Sequence, residues 1–185
     1  ATFPYPLYSK WFTEYAKVDK GVKFNYQSIG SGGGIKQITA QTVGFGASDK
    51  FLSDDELKAA SVKLIHIPTV MGAVVVTYNV PGIGTGLKLN SEDVANIYLG
   101  KITMWNDPRI ADDNKGVHLP AKPIIVVHRS DGSGTTSIFT DYLTGVNADW
   151  AQKVGKGASV KWPVGLGGKG NEGVAGQIKT TPYSI

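Results

Sequence analysis

Apolar residues near the start of the chain recur at helical spacing: Leu7, Tyr8, Trp11, Phe12 and Tyr15. They predict a helix that begins just after Thr2 and Phe3, with Pro4 and Pro6 in a first turn that tolerates missing N–H groups. Val22, Phe24 and Tyr26 then alternate as a half-buried strand does, and SIGSGGG leads into a second helix carrying Ile35 and Ile38. TVGFGASD predicts a short strand. After it, Ser53 and Glu56 have the spacing of a capping box that opens the helix DDELKAA. KLIHIP and AVVVTYNV predict two more strands, and Asn90 or Ser91 caps the helix SEDVANIYLG, which ends at Gly100. PIIVVHR is a further apolar strand. Ile138, Phe139, Tyr142 and Leu143 mark the helix after DGSGTT, closed by Gly145, and a shorter helix follows Asn147.

Strands alternating with helices indicate an α/β protein with largely parallel sheets, in which ligands bind at the carboxyl ends of strands. With 185 residues the chain can hold one sizeable core or two small α/β lobes. A weak break at TYNVPGIGTG, where Pro81 and three glycines follow an apolar strand, divides it into residues 1–80 and 81–185.

Composition narrows the possibilities. Hydrophobic residues at 41% and charged residues at 18% exclude a disordered chain, and no apolar run reaches the roughly 18 residues of a membrane-spanning helix. The formal charge of +4 is scattered along the sequence, which does not indicate a nucleic-acid partner and suits a small anion. With no cysteine, disulfides, thiolate metal sites and cysteine nucleophiles are all excluded. Of the 24 glycines, 11 concentrate in SIGSGGGI, RSDGSGTT and VGLGGKGNEGV, where backbone must approach something closely.

Glycine turns that enter helices suit oxyanions, because a first helical turn has unpaired N–H groups and a partial positive charge. Ser31 with the following glycines offers one such turn, Ser133, Gly134 and Thr135 a second, and Thr2 with Phe3 a third. Taken singly, Ser31 and Ser133 are better read as ordinary helix caps, the commoner use of serine before a helix. Arg129 is placed to grip an oxyanion with its fork, and Asp131 to orient it, although a local ion pair at a strand end has the same spacing. Asp49 is the unexpected member. A carboxylate beside an anion selects phosphate, which near neutral pH still carries a proton to donate, over sulfate, which carries none. In isolation, Asp49 is as readily a turn or cap residue.

Enzyme signatures are missing. No segment fits the G-x-S-x-G elbow or the G-x-x-x-x-G-K-[ST] loop, which GLGGKGN only imitates. His66, His118 and His128 have no metal-ligand spacing; His66, in an apolar strand, is expected in the core, and alternation turns His128 and Arg129 to opposite faces. Neither catalytic residues, a metal nor a cofactor is expected.

Six segments in order, ATFPYPLYSKW, NYQSIGSGGGIKQI, FGASDKFLSD, IYLGKITMWNDPRI, RSDGSGTTSIFTDYL and VKWPVGLGGKGNEGV, resemble the PstS family, the phosphate receptors of the Pst uptake transporter. The resemblance covers essentially the whole chain. It implies a periplasmic binding-protein fold of type II, two α/β lobes closing on the ion, outside the cytoplasm and without chemistry on the ligand. It also implies an ABC-transporter permease as partner and a phosphate site made by Thr2, Phe3, Ser31, Asp49, Arg129, Ser133, Gly134 and Thr135, with Asp131 bracing the arginine. Receptors of the same architecture for sulfate or molybdate, and a shortened scaffold with an interaction role, are the competing readings.

The family has a glycine-containing strand before ATFP and continues past TTPYSI. This polypeptide is therefore expected to be a fragment, a short relative, or half of an assembly whose second chain supplies the remaining strands, with Ile185 on an unpaired edge.

Overall fold

The computed structural model describes residues 1–185 and contains eight helices and two short strands. Three helices lie in the first 80 residues: α1 (Tyr5–Val18), α2 (Gly30–Thr39) and α3 (Asp54–Ala59). The rest of the chain forms α4 (Ser91–Tyr98), α5 (Pro108–Asp113), β1 (Val127–Arg129), α6 (Gly134–Val146), α7 (Ala148–Lys153), β2 (Leu166–Gly168) and α8 (Gly170–Thr180). No helix is long and apolar enough to cross a membrane.

Local chemistry sets the helix starts. Proline occupies the first turn of α1, and Ser53 and Glu56 form the reciprocal capping box of α3. The side chains of Asn90, Asp107, Ser133 and Asn147 each accept an N–H in the first turn of the helix they precede. Gly100 takes a φ of 72° just past α4, where the chain must turn left-handed.

β1 and β2 pair in parallel, Val127 opposite Leu166 and Arg129 opposite Gly168. On the other flank the last residues run alongside the strand: Val127 N–H donates to the Ile185 carbonyl, and Ile185 N–H to that of Ile125. Ser184 is bridged to Asn79 as well, so Ile185 is 1% exposed and lies inside the layer, not on the unpaired edge expected of it.

The hydrophobic core is a cluster of 13 buried residues that begins at Val80 and ends at Ile185, with Trp105 and Trp150 wholly enclosed. Each indole N–H finds a carbonyl, that of Tyr183 or Gly155, so neither ring leaves a polar group unpaired. Before Val80 the packing is of another kind. Phe12 stacks on Phe24 at 4.4 Å and Tyr26 on Phe45 at 6.2 Å, yet Phe24 and Phe45 stay exposed.

Three expected strands, residues 22–26, 42–49 and 63–68, form no ladder. The fourth, 73–80, pairs only at Asn79, whose N–H donates to the Ser184 carbonyl and whose carbonyl accepts the Tyr183 N–H. Alternation prepares a segment for a sheet, but the ladder needs a second strand, and the first three segments find none among the 185 residues. His66, expected in the core, is exposed and accepts the Leu52 N–H.

Candidate functional site

Arg129 ends β1 and is 6% exposed. A guanidinium so enclosed needs partners for its donors. Asp131 provides two, accepting Nε at 2.7 Å and Nη2 at 2.6 Å. Nη1 donates to Asn171 Oδ1 at 2.6 Å and, more distantly, to Thr2 Oγ1 at 3.4 Å. Burial pushes the Asp131 carboxyl up, but the hydrogen bonds from Arg129 and the Gly170 N–H outweigh it and hold the group below its ordinary range. The arginine is thus a fixed cation with part of its fork uncommitted.

The N-termini of α2, α6 and α8 meet beside it. The N–H groups of Ser31 in α2 and of Gly134 and Thr135 in α6 make no hydrogen bond within the chain. Gly134 is where the segments come closest: a β-carbon there would lie 2.5 Å from Ser31 Oγ and 2.5 Å from Asp49 Cβ. Only a glycine allows this approach. Gly30 has a comparable role, with a φ of 74° and a position from which a β-carbon would meet Asp131 Oδ2 and the Gly132 carbonyl at 2.8 Å. Ser133 caps α6 through Thr136 N–H, as the simple cap reading expects. Ser31 does not cap; its hydroxyl accepts the Asp49 N–H at 3.0 Å. The Ser133 hydroxyl proton remains free to donate.

Asp49 is the chemically unusual member. Burial raises its carboxyl, more than the chain's first amino group, the Ser31 hydroxyl and Arg129 lower it. Its Oδ1 is closed off from solvent and has no hydrogen-bond partner. A buried acceptor left empty in a donor-rich setting points to a guest that brings its own proton.

The polar groups border a cavity of about 570 Å³, whose wall includes Phe3, Asp49, Arg129, Thr135 and Asn171. Thr2, Ser31 and Ser133 are buried, and the Phe3 N–H is without a partner. All nine residues singled out in the sequence therefore fall in one region. His128, expected on the face opposite Arg129, lines the same cavity farther along, its ring stacked on Trp162 at 4.7 Å. Asn171 was missed. It lies in VGLGGKGNEGV, at the start of a helix with glycine at positions 170, 173 and 176 and no side-chain cap, so neither apolar periodicity nor a capping residue announces it.

The whole chain, residues 1–185, matches the model of the PBP superfamily domain. The chain belongs to that superfamily. It is 54% identical over 189 residues to the phosphate-binding protein PstS of Pasteurella multocida and 52% identical over 186 residues to that of Haemophilus influenzae, with 100% of this chain aligned in both. It spans about half the length of these relatives, 53% and 55%. The resemblance to the PstS family read from six motifs thus extends along the entire sequence. Solved structures give the fold: a Clostridium perfringens protein assigned to a phosphate ABC transporter, with phosphate bound, superposes with a TM-score of 0.71 at 21% identity over 100% of this chain and 66% of its own. A high-affinity periplasmic phosphate-binding protein with phosphate bound follows at 0.64 and 23% identity, over 88% and 49%. The architecture is the mixed helix and strand fold of periplasmic binding proteins.

Proposed function

We propose that the chain is the ligand-holding part of a phosphate receptor, with Thr2, Phe3, Ser31, Asp49, Arg129, Ser133, Gly134 and Thr135 around the ion and Asp131 bracing the arginine. The observation that carries this reading is the buried, unpartnered Asp49 Oδ1 beside Ser31 and Gly134. A site made only of N–H groups and a guanidinium accepts any tetrahedral anion. An empty carboxylate acceptor favours the one that can donate a proton and leaves sulfate facing an unpaired charge.

The names of the PstS relatives and the phosphate in the two structural neighbours support the same ligand. They also support a biological setting for the proposed receptor: outside the cytoplasm, delivering phosphate to the permease of an ABC transporter, without catalysis. Residues 1–80 and 81–185 act as two lobes, a division supported by a core cluster that starts at Val80. The unpaired extended segments 63–67 and 73–78 favour a partner segment, on this polypeptide or on a second chain, that supplies their ladder neighbours.

Calorimetric titration tests the central assignment. Phosphate should bind saturably and sulfate at least about 100-fold more weakly, and Asp49→Asn, which turns the acceptor into a donor, should narrow that ratio. Absence of phosphate heat, or equal affinity for the two anions in the unaltered chain, contradicts it.

A further inference from the structure

The start of α8 touches three separate segments of the site. Gly170 N–H donates to Asp131 Oδ1 at 3.1 Å, the oxygen that also receives Arg129 Nε. Asn171 N–H donates to Thr2 Oγ1 at 3.3 Å. The Asn171 carboxamide oxygen accepts from both Arg129 Nη1, at 2.6 Å, and Thr135 Oγ1, at 3.2 Å. One side chain therefore joins the end of β1 to the first turn of α6, and its backbone joins both to the residues ahead of α1.

We propose that Asn171 is a positioning residue that holds Arg129, Thr135 and Thr2 as one donor set, an assignment that rests on the phosphate reading above. A guanidinium has five N–H donors in a rigid plane. Asp131 takes two along one side, and Asn171 takes one on Nη1. That leaves the second Nη2 hydrogen and the Nη1 hydrogen now resting at 3.4 Å on Thr2 Oγ1 to meet an oxyanion. With Asp131 alone the plane is held from one side; with Asn171 it is held from two. The same oxygen fixes the Thr135 hydroxyl close to that plane.

The amide also has the right charge. Asp131 already contributes one negative charge to the arginine, so a second carboxylate would leave the group net negative and repel an anion. A neutral acceptor orients the cation without cancelling it. Asparagine meets both requirements, whereas aspartate meets only the geometric one.

The test is phosphate titration of the full chain at neutral pH, comparing the unaltered protein with Asn171→Ala, Asn171→Asp, Thr135→Val and the Asn171→Ala/Thr135→Val pair. Asn171→Ala should weaken phosphate binding about tenfold. Asn171→Asp, of the same shape and with the acceptor kept, should weaken it further, by an amount that shrinks as salt is raised. The double variant should lose less than the product of the two single losses, because both act through one oxygen. Asn171→Ala within twofold of the unaltered protein, Asn171→Asp equal to it, or losses that simply multiply would each overturn the positioning role. Failure of the unaltered protein to bind phosphate would instead remove the reading beneath it.

Discussion

Residues 1–79 and residues 80–185 contain the same kinds of local signal, yet they pack differently. The second stretch encloses Trp105 and Trp150 completely and pairs β1 on both flanks. The first has helices that begin where their caps and prolines direct, but its apolar surface meets ring on ring at the periphery, and Ile65 and Ile67 are each 71% exposed. Elements stabilised within themselves form in both stretches. Elements that need a partner strand form only where the partner is present. The site follows this division: Arg129, Ser133, Gly134 and Thr135 stand on the well-packed side, and Thr2, Ser31 and Asp49 are brought to them through glycine contacts and the bonds of Asn171.

Substitutions should divide along this difference in packing. Trp150→Ala removes an enclosed ring from the core cluster and should cost about 3–5 kcal/mol in denaturant unfolding. Phe12→Ala removes a half-buried ring stacked on Phe24 and should cost about 2 kcal/mol. Equal losses would erase the comparison. The smallest effect, about 1 kcal/mol, is expected for Ser53→Ala, which deletes one half of the α3 capping box. Hydrogen exchange should place that loss in α3 alone. Loss of protection throughout residues 80–185 would mean that the two stretches are energetically one.

Much of the site was legible because its parts are local. A glycine turn ahead of a helix displays unpaired N–H groups whatever surrounds it, so Ser31, Ser133, Gly134 and Thr135 could be chosen from spacing. Arg129 and Asp131 lie two residues apart and form their pair within one strand end. The helix starts at Pro4, Ser53, Asn90 and Asn147 were legible for the same reason. What escaped is long-range. Asn171 meets Thr2 across 169 positions and Arg129 across 42, and nothing in GNEGV encodes either partner. The buried position of Ile185 depends likewise on backbone partners of the last residues at Val127 and Asn79, 58 and 106 positions away. Alternating patterns at 22–26 and 63–67 showed what those segments can do in a sheet, but not whether a neighbour exists.

The proposed phosphate site requires separate segments to close on one anion at Gly134. A methyl group there would press into Ser31 Oγ and Asp49 Cβ, whereas at Gly145, in the same helix, it would meet nothing within 4 Å. Phosphate titration of Gly134→Ala and Gly145→Ala therefore separates the site from the helix that bears it. We predict that Gly134→Ala lowers phosphate affinity at least about 100-fold, through loss of preorganised contacts, and that Gly145→Ala leaves it unchanged. Equal affinities in the two variants would contradict the convergence of these residues on a common ligand.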